Sequence, residues 1–171
     1  MLASVLPFAA GVAFAIVTEP ALSARSSKGR FAQGLRDDCA AGSIFSTNSR
    51  AAVILISGIV AGGLPSIVGL AFFGRDFAAT CIRAFLSGTP LHQIAAATGP
   101  HGVLEVPSLM LAGAAGMAGV PLLWSFASGN RHTLSDTIVA SSGLAVVSLA
   151  LLLPAAVIEC HSTPVILRWT L

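Results

Sequence analysis

His101 and Glu105 stand four residues apart in GPHGVLEVPSLMLAGAAG, residues 99–116, inside one of the most apolar parts of the chain. On an α-helix this spacing puts an imidazole and a carboxylate one turn apart on one face, where they touch or share a partner. In apolar surroundings such a pair serves a proton or cation pathway, or it is half of a buried ionic contact that fixes helix packing. Glu159 lies near the end of the last apolar run, and Asn48 and Arg50 lie at the start of an earlier one. If consecutive apolar helices run antiparallel, Asn48, Arg50, His101, Glu105 and Glu159 are brought to one depth as a single intramembrane polar cluster.

Two accounts of that cluster stand side by side. In the first, Arg50 neutralises Glu105 or Glu159 and His101 caps a helix start or meets a backbone carbonyl, because a buried charge without a partner is costly. In the second, the imidazole and carboxylates bind a proton or cation. The spacing H-x-x-x-E lacks the second histidine and adjacent glutamate of H-E-x-x-H, so neither a metal nor another cofactor is expected. His92, His132 and His161 read as interfacial residues without chemistry. The chain has no nucleophile elbow, P-loop or dinucleotide fingerprint, and it is expected to be non-enzymatic.

The elements that must position these side chains follow from composition. Of 171 residues, 55% are hydrophobic and 9% charged, against roughly 25% charged in a soluble domain. So few charges cannot cover a water-facing surface. Together with 17 glycines, this composition predicts an all-α fold, an integral membrane helical bundle forming one domain over 1–171. At about 20 residues per crossing it has about five spans, one of them broken or re-entrant. A net charge of +2 without a basic stripe gives no reason to expect nucleic acid. The expected partners are the lipid bilayer, membrane or envelope proteins and a second copy of the chain. Cys39, Cys81 and Cys160 are scattered, form no C-x-x-C, and read as reduced thiols.

Residues 1–18 are apolar and lack a basic n-region, so they read as the first span rather than a cleaved signal. A polar loop covers about 19–50, and 51–73 reads as the second span, with Gly58, Gly62 and Gly63 permitting close helix contact. Residues 77–99 form the broken element, interrupted near Ser87 to Pro90, since Gly88 and Pro90 disfavour helix between two short apolar pieces. The fourth span is expected over 101–126, opened by Pro100, with Gly113, Gly116 and Gly119 on a small-residue face. The fifth covers 137–158, with Arg168 and Trp169 as interface anchors. Arg25, Lys28, Arg30, Arg36, Arg50 and Arg168 then fall on one side and Arg75 and Arg131 on the other. The positive-inside rule puts the 19–50 loop in the cytoplasm of a bacterial or archaeal plasma membrane.

Three segments carry a resemblance: NSRAAVILISGIVAGG, PHGVLEVPSLMLAGAAGM and VIECHSTP. Together, over roughly 45–165, they resemble the stage II sporulation protein M family of polytopic membrane proteins. The matching motif positions are Asn48 and Arg50, then Pro100, His101, Gly102, Glu105 and Pro107, then Gly113 and Gly116, then Glu159, Thr163 and Pro164. The chain departs from the family pattern at FFGRDFAAT, where an Asn-Gly is usual, and at Cys160, His161 and Ser162, which replace apolar and aromatic filler. The resemblance implies a cell-envelope scaffold or assembly factor, as the namesake acts with peptidoglycan-degrading partners during engulfment. Relatives also accompany bacteriocin immunity and export genes, which implies a transporter, channel or immunity component as the alternative. The scaffold requires a dry, paired cluster, and the transporter requires water to reach Glu105 or Glu159.

Overall fold

The computed structural model describes residues 2–23, 40–129 and 131–170; at helical positions 2, 20–23, 131–133, 162–164 and 166–170 it describes the backbone alone. Among the described residues every regular element is a helix: α1 (Leu2–Ser23), α2 (Ala41–Ile56), a 3-10 turn (Ser57–Ile59), α3 (Leu64–Leu86), α4 (Leu91–Met117), α5 (Gly119–Ala127) and α6 (Arg131–Thr170). Two stretches, Leu91–Ala127 across α4 and α5 and Leu134–His161 within α6, are long and apolar enough to cross a bilayer.

The expected second span, 51–73, is not one helix. Its apolar run folds into a hairpin, in which α2 ends at Ile56 and α3 returns from Leu64. The cause is local. Gly62 and Gly63 adopt φ of +62° and +81°, a left-handed conformation that costs glycine little. Pro65 then occupies the first turn of α3, where its missing N–H leaves no bond unmade. The hairpin is tied by the buried Ser66 hydroxyl, which donates to the Leu55 carbonyl at 2.7 Å.

The break expected near Ser87 to Pro90 is present, but it separates two long helices rather than halves of one. Gly88, with φ +89°, closes the turn after α3. Pro90, extended at φ −61° and ψ 145°, caps α4. The fourth helix thus starts at Leu91, ten residues before the position expected, and Pro100 and Pro107 lie inside it. It ends at Met117, so the expected 101–126 span is divided between α4 and α5.

Side-chain neighbours fix the directions. α1 runs parallel to α3: a Cβ on Gly74 would meet Phe8 and one on Gly11 the Arg75 backbone, Ala15 packs with Ala78 and Ala79, and Glu19 reaches Arg83. α4 and α6 are antiparallel, joined where the buried Ser108 hydroxyl donates to the Ser148 carbonyl at 2.7 Å. The interior mixes leucines with small residues: Leu70, Leu109 and Leu152 are buried beside Ala52, Ala79, Ala112, Ser66, Ser108 and Ser148. Many other large apolar side chains point outward, among them Leu6, Val17, Trp124 and Phe126, each more than 70% exposed. Small and hydroxylated residues inside allow close backbone approach, the pattern by which helices pack in lipid.

Candidate functional site

The ends of α1, α3 and α6 and the starts of α2 and α4 share one end of the bundle, and the ionisable residues concentrate there. α4 carries His101 and Glu105 on one face, and antiparallel α6 brings Glu159 to the same depth. One ligand atom from each of the three lies within 4.8 Å of the other two. Asn48 of α2 lines the same cavity, of about 460 Å³, together with Ser43, Thr47, Asp76 and Thr98. No Lys or Arg side chain is among the described residues that line it. The cavity opens outward rather than lying sealed in the core, and its three triad residues are all half-buried.

Arg50 is not in this cluster. It is exposed on the opposite face of α2, against Phe45, Ser46, Ser49, Val53 and Ile54. At about 100° per residue, the two positions from Asn48 to Arg50 are a 200° rotation, so a helix that turns Asn48 inward turns Arg50 out. The expected neutralisation of Glu105 or Glu159 by Arg50 therefore does not occur. Arg50→Gln should change thermal stability by no more than about 0.5 kcal/mol, as for a surface residue. It should also fail to rescue Glu105→Gln. Recovery of the double variant in a melting experiment would restore the pair that the geometry denies.

Among the motif residues, Gly102 lines the cavity, while Pro100 and Pro107 are interior to α4. Thr163 and Pro164 fall in α6 at positions whose side chains lie outside the described residues, as does that of His132. His92 is exposed in the first turn of α4, and the His161 Nδ1 lies 3.1 Å from the Val157 carbonyl of its own helix. Cys81 is a free thiol, but Cys160 is disulfide-bonded, so the expectation of reduced thiols fails at that position.

A second ionic group was not foreseen. Glu19 of α1, 4% exposed, lies 3.6 Å from Arg75 and 3.4 Å from Arg83, both on α3. Arg75 also bonds Asp76 at 2.8 Å, and Asp76 forms part of the cavity wall. Two turns of α3 separate the arginines, with buried Ala79 between them, so Glu19 is held across a flat, small-residue contact. This pairing places Arg75 at the same end as the segment joining α1 to α2, not at the opposite end as expected. The available signal was the spacing of Arg75, Ala79 and Arg83 at i, i+4 and i+8, which marks one helix face.

A family model described as stage II sporulation protein M matches residues 4–164. An uncharacterized protein of Methanocaldococcus jannaschii is 26% identical over 132 residues, covering 75% of this chain and 74% of that protein. No solved structure matches.

Proposed function

The chain belongs to the stage II sporulation protein M family, and from that premise we propose that it is a non-enzymatic, multi-pass protein of a bacterial or archaeal plasma membrane whose working site is the acidic cavity. In this reading α1, α2, α3, α4 with α5, and α6 make about five crossings, and the cavity admits a cation from one membrane face. The observation that carries it is the lining: Asp76, Glu105, Glu159 and His101 face a space that opens outward and that no Lys or Arg side chain lines among the described residues. Arg75 pairs with Asp76, so the focusing falls to Glu105 and Glu159: a concave, low-dielectric site that holds two carboxylates concentrates ions of the opposite sign.

A scaffold that engages envelope proteins or a second copy is the other reading, and the small-residue interior favours it, since interlocked backbones make a rigid platform. The two separate on access and charge preference. Thr98 lines the cavity, so Thr98→Cys, in a background with the native cysteines replaced, reports on it. A cationic methanethiosulfonate reagent should modify this position at least about tenfold faster than an anionic one, through electrostatic focusing. Protection from both reagents, or equal rates, would sink the cation reading in favour of the scaffold.

Orientation enters the same experiment. Arg75, Arg83 and Arg168 lie toward the cavity end and Arg131 at the other; the sequence adds Arg25, Lys28, Arg30 and Arg36 between α1 and α2, outside the described residues. That bias places the cavity end in the cytoplasm. The Cys160 disulfide opposes it, because disulfides are rare in a reducing cytosol. We follow the basic residues, which set orientation as the chain inserts; the disulfide would predict the opposite labelling. Thr98→Cys should therefore react in inverted vesicles and stay protected in intact cells.

A further inference from the structure

We propose that His101, Glu105 and Glu159 form a binding site for one divalent transition-metal ion, with the cavity supplying its remaining coordination positions. The inference rests on the cavity reading, since the ion must enter from water, and it deepens that reading by naming the ligand class.

The donor set is the first ground. An imidazole nitrogen and two carboxylates come from two helices, α4 and α6, and one ligand atom of each lies within 4.8 Å of the others. Donors about 2.0–2.2 Å from a tetrahedral ion sit roughly 3.3–3.6 Å apart. The remaining gap of about 1 Å is of the size that rotation about the glutamate side-chain torsions covers. His101 and Glu105, one helical turn apart, approach the ion from one side, and Glu159 approaches from facing α6. Three protein ligands with an open position toward solvent are the arrangement of a metal site that exchanges a water or a small ligand.

Charge is the second ground. A neutral imidazole and two carboxylates bring two negative charges, which a divalent ion cancels. In a half-buried site that no Lys or Arg side chain lines among the described residues, this cancellation removes the repulsion between two close carboxylates. Mixed nitrogen and carboxylate oxygen ligation selects zinc, manganese or ferrous ion over copper(I), which prefers sulfur, and over calcium, which takes six to eight oxygens. The sequence brings the three residues together but gave no metal expectation, because H-x-x-x-E is no recognised ligand motif and the third ligand lies 54 positions after Glu105, in another helix.

The test uses the full chain in detergent, stripped with a chelator and then titrated separately with zinc, manganese and cobalt(II). Zinc should bind at about one equivalent and raise the melting temperature. Cobalt(II) should develop visible absorption bands stronger than those of its aqueous ion, which requires no variant and reports directly on ligation. Glu159→Gln and His101→Gln should each weaken zinc binding by more than the roughly 100-fold that loss of an outer-shell partner costs. Both should melt near the chelated wild type, with no further response to zinc. An aqueous cobalt spectrum, or equal zinc affinity in wild type and both variants, would overturn the metal site. Thr98→Cys labelling separates the two levels: preference for the cationic reagent without metal binding leaves a water-filled cation cavity, whereas loss of both ends the cavity reading as well.

Discussion

Glu19→Gln is expected to be among the most destabilising single substitutions outside the helix-packing glycines, although position 19 takes no part in the cavity. The carboxylate is 4% exposed and faces Arg75 at 3.6 Å and Arg83 at 3.4 Å. Replacing it with a neutral amide leaves both guanidinium groups charged at the α1–α3 contact. Removing one partner of a buried pair costs about 3–5 kcal/mol in soluble proteins. The lower part of that range fits here, because Arg75 keeps Asp76 at 2.8 Å and the Arg83 side chain is 56% exposed. The cost should be asymmetric. Arg83→Gln removes a side chain that water already reaches and leaves Glu19 with Arg75, so it should cost less than about 1 kcal/mol. Comparing the melting temperatures of the two variants in detergent decides the matter. Equal losses would mean that Arg83 is bound as tightly as Glu19, and that the burial asymmetry carries no energetic weight.

The same contact shows what was legible in the sequence. Composition was enough to indicate an all-helical chain, because its 9% charged residues leave little else to shield a backbone from lipid. The meeting of Glu159 with His101 and Glu105 followed from counting antiparallel helices. Where the reading failed, it had treated an apolar run as one helix. In residues 51–73 the turn at Gly62, Gly63 and Pro65 is as apolar as the helices it joins, so hydropathy has no minimum there. Only the pairing of positive-φ glycines with a proline in the next first turn marks it. Moving that turn turned the break at Ser87 to Pro90 from the middle of one element into the joint between two, and with it changed the side to which Arg75 was assigned. Arg50 failed for a different reason: two residues from Asn48 in sequence are nearly opposite on a helix, so a shared depth did not mean a shared face. Glu19 was read as the start of a polar loop because nothing in the sequence says that a parallel neighbour carries arginines at the matching height.

Gly116→Ala is expected to be as damaging as the loss of Glu19, through packing alone. A Cβ at Gly116 would run into the carbonyl oxygen of Leu55 and the hydroxyl of Ser66, the two groups joined by the buried hydrogen bond of the α2–α3 hairpin. Neither can yield cheaply. The carbonyl belongs to the last turn of α2, and the hydroxyl would have to give up a bond worth about 1 kcal/mol in net terms. Forcing a methyl into such a contact adds about 1–3 kcal/mol of overpacking. Together these give a loss of roughly 2–4 kcal/mol. The control is the same substitution in α6, where a Cβ on exposed Gly143 meets nothing within 4 Å. Gly143→Ala should be neutral or stabilising by up to about 1 kcal/mol, from reduced freedom of the unfolded chain and better helix propensity. Both glycines lie inside helices, so propensity favours alanine at each, and any difference between the variants measures the interhelical contact. Melting temperatures that fall together would mean that the glycine serves helix flexibility. A fall for Gly116→Ala alone identifies the crossing of α4 over the α2–α3 hairpin as a backbone contact with no room for a methyl, because the Leu55 carbonyl and the Ser66 hydroxyl already fill that space.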